Sequence, residues 1–274
     1  MYKELVSFYQ KQWCLESVKK YLDTPSSILF KVIYNERPAI LKVFKNNSDE
    51  IKSSIILNAY GGVGAVQVYR HNDSAILMQA INPAYELANI TKSGQDNDST
   101  IIFCDVIKKL HREDIVSELL LPISDLGLGF QRYATSSNRQ IPDYLLRKAQ
   151  RIFFYLEATQ KTNVILHGDL HHFNILYDGT DGWLAIDPKG YVGEPEFEVA
   201  AYFKNPVAFP KFFLDKQVIK QRIQIIEDQL GYDRDRMLKW AFSLIILSVI
   251  WSIEAKQKYV DWLKLAELLD DLID

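Results

Sequence analysis

Asp169, Asn174 and Asp187 are spaced so that one local fold would gather them. The apolar run Val164–Leu166 ends in a polar loop, His167-Gly-Asp-Leu-His-His-Phe-Asn174, and two short apolar runs follow, Ile175-Leu-Tyr177 and Trp183-Leu-Ala-Ile186. Between these runs lies Asp178-Gly-Thr-Asp-Gly182, a cluster of turn formers, so the pattern predicts a β-hairpin. Asn174 precedes its first strand and Asp187 follows its second. Antiparallel pairing then brings both side chains to one end, near Asp169 on the loop. A carboxylate able to orient and deprotonate a hydroxyl, beside hard oxygen ligands for magnesium, is the equipment of phosphoryl transfer. Single loop aspartates and asparagines mostly cap turns; the ordered set with a hairpin points to chemistry. His167, just ahead of the catalytic aspartate, is expected to be structural. Adjacent His171 and His172 lack the spaced cysteine or carboxylate partners of a zinc site.

Composition sets the outer limits. With 274 residues, 48% of them hydrophobic and 24% charged, the chain can bury one large or two modest cores. A net charge of −3 without a long basic block disfavours nucleic acid and is compatible with a cationic substrate. Met1-Tyr-Lys-Glu-Leu-Val6 has no apolar signal region, so a cytoplasmic location is expected. The longest apolar run, Trp240–Ile253, has about 14 residues against the roughly 20 of a bilayer span, and reads as a buried core helix; no membrane association is expected. Cys14 and Cys104 are expected to pack as small hydrophobes.

The elements that must position the three residues follow from periodicity. Residues 1–12 read as an amphipathic helix. Strands are predicted at 14–19, 28–34, 39–44, 65–70 and 75–78, with a helix over 49–60 between the third and fourth. After the break at Asn82-Pro83 the pattern turns helical, at 101–111, 143–160, 214–230, 235–256 and 259–273, with a loop-rich connection from Leu119 to Ile141. Lys42 lies mid-strand among apolar residues, where an unpaired ammonium is costly, so it needs an anionic partner.

The spacing His167-x-Asp169-x-x-x-x-Asn174, then a hairpin, then Ile186-Asp187, resembles the catalytic and metal-binding loops of kinase-like phosphotransferases. Asp187-Pro-Lys-Gly190 stands where protein kinases carry D-F-G. Together with Leu166-His-Gly-Asp-Leu-His-His-x-Asn174 and Gly193-Glu-Pro-Glu-Phe-Glu-Val-Ala200, it looks like the streptomycin 6-phosphotransferase and hydroxyurea kinase branch of the aminoglycoside phosphotransferase family. The resemblance implies an α+β, two-lobed protein-kinase-like fold. Residues 1–80 would form a small antiparallel-sheet N-lobe that holds nucleotide, and 81–274 a larger, mainly helical C-lobe with the catalytic hairpin and substrate pocket. It also implies ATP and Mg2+ as cofactors and a small, cationic hydroxyl acceptor such as streptomycin.

Site roles follow from the same resemblance. Asp169 is the catalytic carboxylate, and Asn174 and Asp187 are the metal ligands. Lys42 is the third-strand lysine that holds the donor phosphates. Its usual helix glutamate is absent at Ser53 and Ser54, and Glu50, one turn earlier, is the substitute. Thr24-Pro-Ser-Ser27 replaces a glycine-rich phosphate loop, so Ser26 and Ser27 are expected to contact phosphate. Met78, Gln79 and Ala80 form the hinge toward adenine. Glu198 is expected to hold the catalytic loop through backbone hydrogen bonds. Glu194 and Glu196 are expected to face a cationic acceptor, with Trp251 and Glu254 lining the same pocket, and Lys189 is either a charge stabiliser or a solvated loop residue. A metabolic sugar, choline or amino-alcohol kinase and a non-catalytic nucleotide-binding domain stay open as alternatives. The missing helix glutamate favours the second of these; Lys42, Asp169, Asn174 and Asp187 together argue against it.

Overall fold

The computed structural model describes residues 2–45, 48–82, 84–111, 120–137 and 139–273. Met1, Pro83, Leu119, Asn138 and Asp274, which fall within segments predicted above, lie outside the described residues. Along the chain, α1 (Tyr2–Gln12) is followed by β1 (Glu16–Asp23), β2 (Ser27–Tyr34), β3 (Arg37–Phe44), α2 (Ser48–Tyr60), β4 (Val68–Asn72) and β5 (Ala75–Gln79). Next come β6 (Tyr85–Glu86), α3 (Leu87–Lys92), α4 (Asp96–Leu110), β7 (Leu121–Pro122), α5 (Leu128–Thr135), α6 (Asp143–Ala158) and β8 (Val164–Leu166). The chain continues through β9 (Ile175–Tyr177), β10 (Trp183–Ala185), β11 (Tyr191–Gly193), α7 (Val199–Phe203), α8 (Pro210–Phe213), α9 (Lys216–Leu230), α10 (Arg234–Glu254) and α11 (Val260–Asp270). Two compact units result: Met1–Tyr85 with Leu176–Lys189, and Glu86–Ile175 with Gly190–Asp274.

The first unit is built on a five-stranded antiparallel sheet of order β1-β2-β3-β5-β4. Asn35 and Glu36 both take positive φ, 47° and 64°, between paired Tyr34 and Arg37; this is the two-residue hairpin turn that suits strand twist. Leu41, Val43, Val32, Ala75 and Leu77 make one face apolar, and α1 covers it with Tyr9, together with Trp13 and Leu15 just beyond the helix. The hairpin β9–β10, closed by Asp178 N–H donating to Gly182 O at 2.9 Å, joins this unit from Leu176 on. The predicted strand 65–70 begins only at Val68. Ala65 instead bridges Ala185, and Val66 N–H donates to Ala185 O. β1 runs later than predicted because it is an exposed edge strand with little burial pattern to mark it. Cys14 ahead of it is exposed, not packed as a small hydrophobe, while Cys104 is buried.

The second unit is mostly helical around a small sheet of order β7-β11-β8. Leu145, Ala149, Ile152, Phe153 and Leu156 give α6 one buried stripe. Asp215 caps α9 by accepting from Gln217 N–H, and Gly231 ends it in the left-handed conformation at φ 69°. α10 has 21 residues and is apolar enough to cross a membrane by length and composition, so the 14-residue length argument fails. Burial decides instead, since 83% of its most apolar window is buried inside the protein, which makes it the core helix. The connection predicted as loop-rich holds a 3-10 turn, Ile123–Gly127, and α5. A Cβ at Gly127 would lie 2.8 Å from the Phe153 ring, and one at Gly129 2.8 Å from Leu247 Cδ2. These glycines permit close packing rather than marking a loose chain.

Candidate active site

In the first unit β3 delivers Lys42, paired in register with Leu29 and Ile76, to a cluster of acids. Its Nζ lies 2.5 Å from Glu50 Oε2 on α2 and 2.7 Å from Asp187 Oδ1 after the hairpin. Burial alone would lower the lysine's pKa; Asp187 and then Glu50 more than offset this and hold it above the usual value. Glu50 therefore occupies the partner position left open by Ser53 and Ser54. Asp187 itself has φ 60°, a left-handed conformation sparsely used by non-glycine residues, which tends to occur at functional sites.

The structure places the two serines differently. Ser27 is buried and its hydroxyl lies 3.1 Å from that of Thr24, whose own hydroxyl donates to Ser27 O at 3.0 Å. That hydroxyl closes the turn and does not face solvent. Ser26 Oγ donates to Glu50 Oε1 at 2.5 Å, linking the turn to the lysine's partner. At the expected hinge, Met78 pairs with Ile40 and Val68 inside the sheet, and Gln79 N–H is spent on Gln67 O at 2.8 Å. Ala80 lies beyond β5. Lys189 is exposed.

In the second unit, β8 ends in the loop that carries Asp169. Glu198, at the start of α7 and 1% exposed, accepts the amides of His167 at 2.8 Å and Gly168 at 2.9 Å. Burial would raise its pKa, but His111, whose Nε2 lies 3.3 Å away, and the Gly168 amide bring it below the usual glutamate value. His111 was not singled out from sequence, because its contact with Glu198 spans 87 residues. His167 is fully buried, and its Nδ1 accepts Asp169 N–H at 3.3 Å. Asn174 Nδ2 donates to Asp169 O at 2.9 Å, and its amide oxygen is the atom able to accept a hydrogen bond or ligate a metal. His171 Nε2 lies 3.8 Å from Asp169 Oδ1; burial pushes His171 down to about 4 against the opposing pull of Asp169.

The expected acceptor contact of Glu194 is corrected. Glu194 is 2% exposed and pairs with Arg236 at 2.6 Å while accepting from Trp240 Nε1 at 2.8 Å, so it is a buried counter-ion of α10. Glu196 is half-buried and accepts Asp233 N–H at 3.4 Å at the start of the same helix; burial raises its pKa. Both serve the helix N-terminus, where carboxylates are favoured. Trp251 lies against α5 beside Gly129, and Glu254 is 3.6 Å from Arg132 Nε, also on α5.

Among the described residues no cluster of three His, Cys, Asp or Glu side chains could hold a metal by itself. Asp187 in the first unit and Asn174 in the second each carry a hard oxygen of the kind magnesium takes, an ion usually held by one or two side chains together with substrate phosphates. They do not fit a dedicated zinc cage.

Solved structures share this fold. The choline kinase LicA from Streptococcus pneumoniae superposes with TM-score 0.69 at 15% identity over 99% of both chains. A thermostable aminoglycoside phosphotransferase APH(4)-Ia bound to ADP and hygromycin B does so with TM-score 0.68 at 10% identity, over 97% of this chain and 96% of that one. At such identities the likeness carries the protein-kinase-like fold alone. Sequence carries more. Streptomycin 3''-kinase from Klebsiella pneumoniae is 32% identical over 249 residues, spanning 89% of this chain and 90% of its own. Streptomycin 6-kinase from Streptomyces griseus is 24% identical over 229 residues, spanning 79% and 71%. With residues 12–255 also matching the family model, the chain belongs to the aminoglycoside/hydroxyurea antibiotic resistance kinases and is a phosphotransferase.

Proposed function

We propose that this protein is an ATP- and magnesium-dependent kinase that transfers the γ-phosphoryl group to a hydroxyl of streptomycin or a closely similar aminoglycoside, inactivating it. One observation carries the reading beyond family membership. The Asp169 loop is clamped by Glu198 from behind, while the Asp169 side chain stays 29% exposed, with the His171 ring 3.8 Å away. A carboxylate held rigidly yet open is placed for an incoming hydroxyl.

In this reading Asp169 accepts the hydroxyl proton as the acceptor oxygen attacks the γ-phosphorus; the bond to the bridging oxygen breaks and ADP leaves. Asn174 and Asp187 would hold magnesium, which would neutralise charge on the phosphates. Lys42, fixed by Glu50, contacts the phosphates, and the backbone near Ala80 receives adenine. Residues 1–80 carry most of the nucleotide contacts. A cytoplasmic setting suits a reaction supplied by cellular ATP.

The streptomycin kinases among the relatives are named for two different positions, and the 3''-kinase is the more similar of the two described above. The test is ADP release by the purified protein with streptomycin, hydroxyurea, hygromycin B, choline and simple sugars in parallel, followed by phosphorus NMR of the product. Turnover of streptomycin is expected. No turnover and no thermal shift with streptomycin, alongside phosphorylation of an uncharged alcohol or choline, would remove the antibiotic reading and leave a metabolic kinase.

A further inference from the structure

Glu198 grips the catalytic loop, and two residues from distant parts of the chain set that grip. His111 ends α4, its N–H donating to Ile107 O at 2.9 Å. Its ring Nε2 lies 3.3 Å from Glu198 Oε2, the same oxygen that accepts the amide of His167 at 2.8 Å. These two side chains are 7% and 0% exposed, so solvent screens the contact poorly. On the other side of the ring, Nδ1 lies 2.9 Å from the hydroxyl of Tyr232. Tyr232 stands between two capped helix ends: Gly231 closes α9 at φ 69°, and Asp233 opens α10 by accepting Arg236 N–H at 3.0 Å. Burial, then the charges of Glu198 and Glu196, hold the Tyr232 hydroxyl above its usual pKa, so it keeps its proton and can donate it to a hydrogen bond.

The chemistry of the three groups gives this chain of contacts a direction. An ionised carboxylate only accepts, so His111 Nε2 must carry a proton; in the neutral ring Nδ1 is then a lone pair, which Tyr232 O–H satisfies. Without that hydroxyl the ring is free to move its proton to Nδ1 and turn a lone pair toward the carboxylate. We propose that Tyr232 and His111 are positioning residues for the phosphoryl transfer: Tyr232 fixes the His111 tautomer, His111 orients the Glu198 carboxylate, and Glu198 thereby fixes the loop that carries Asp169. This rests on the reading of Asp169 as the base that meets the acceptor hydroxyl. His111, Tyr232, Glu198 and the loop all belong to the second unit, whereas Lys42 and Glu50, assigned to the nucleotide, belong to the first. The effect is therefore expected in kcat and not in ATP KM.

The test compares His111→Phe, His111→Gln, Tyr232→Phe and the double variant His111→Gln/Tyr232→Phe. His111→Phe is expected to lower kcat about tenfold to a hundredfold with both KM values unchanged, the scale of a misplaced catalytic group. Gln keeps an N–H for Glu198 and is expected to recover most of the loss. Tyr232→Phe deletes one oxygen and is expected to lower kcat about threefold to tenfold, the weight of one neutral hydrogen bond. Gln has no tautomer to lose, so Tyr232→Phe should cost less on the Gln background than alone. An unchanged kcat in His111→Phe overturns the inference, as does an equal cost of Tyr232→Phe on both backgrounds, or a rise in both KM values with a lower Tm, which marks a structural role. If His111→Phe does not fold, Tyr232→Phe and the double variant decide. If wild type turns over another acceptor and not streptomycin, the antibiotic reading fails and the same comparison is made on that acceptor.

A readout independent of turnover is the acid limb of stability, from melts between pH 7 and 3. The titratable groups around Glu198 are His111 on α4, His167 on the loop and, beyond His111, Tyr232, with the Gly168 amide as a further donor. Burial raises the Glu198 pKa, and His111 is the chief group that brings it down again. Its stabilising contribution is lost as pH falls through the folded pKa, so in His111→Phe the loss is expected to begin at higher pH than in wild type. An unmoved acid limb means that His111 does not act on Glu198, and the inference falls.

Discussion

Replacing Glu50 by Gln removes one of the two carboxylates that hold Lys42 and keeps the side chain's shape. The contact is 2.5 Å long between side chains only 11% and 9% exposed, so solvent screens it poorly. Removing one partner of an isolated buried pair costs about 3–5 kcal/mol. Lys42 retains Asp187 at 2.7 Å, so the loss reduces to one charge-assisted hydrogen bond, about 1.5–3 kcal/mol. Expressed in nucleotide binding this is a roughly tenfold to hundredfold weaker ATP affinity, at about 1.4 kcal/mol per factor of ten. Calorimetric titration with Mg·ATP, steady-state kinetics and a thermal melt read it. Ser26→Ala is the control: it deletes the 2.5 Å bond from Ser26 to Glu50 and a long 3.4 Å contact with Thr24 Oγ1, and is expected to cost about 1 kcal/mol of stability, with a small effect on ATP KM. An unchanged ATP affinity and Tm in Glu50→Gln would show that Asp187 alone positions Lys42.

Asp169→Asn is expected to abolish turnover with Mg·ATP binding intact, because the carboxylate acts on the acceptor; near-normal kcat would remove it as the base. Asp187→Ala is expected to lose magnesium-dependent ATP binding as well as catalysis, and an unchanged magnesium requirement for nucleotide binding would refute its ligand role. Glu194→Gln leaves Arg236 with an uncompensated charge, a loss of about 3–5 kcal/mol. Its Tm should fall by several degrees with acceptor KM unchanged, and the reverse outcome would restore Glu194 to the acceptor site. Glu198 has a folded pKa below its unfolded one, so its contribution to stability is present above the ordinary glutamate range, about 4.3, and is lost as pH falls through the lower folded value. Melts between pH 7 and 3 should show this slope, and Glu198→Gln should flatten it; identical slopes would place the effect elsewhere.

The hairpin illustrates what was legible without coordinates. Apolar runs at 175–177 and 183–186 with five turn formers between them determine a local structure whose hydrogen bonds close within ten residues, so no distant partner has to be known. The core-facing helices, read from 3.6-residue periodicity, were legible for the same reason. α5 was hidden because Gly127 and Gly129 weaken a helical pattern, and their use became visible only once Phe153 and Leu247 were seen against them.

Asp169, Asn174, Asp187 and Lys42 were marked by residue type and spacing, because their chemistry demands those groups at ordered positions along one chain. The partner of each charge was a tertiary matter. Lys42 meets Asp187 across 145 residues, Glu194 meets Arg236 across 42, and Lys204 meets Ser248 across 44. A glutamate reads the same in sequence whether it faces a cationic ligand or a buried arginine, since either satisfies the desolvated carboxylate equally well. The order of the residues determined the hairpin, the helices and the candidate reacting groups. Only the packing of α10 against the segment that carries Glu194 decided that this acid is structural, and only the meeting of α7 with α10 and α11 set Lys204 against Ser248 and Trp262.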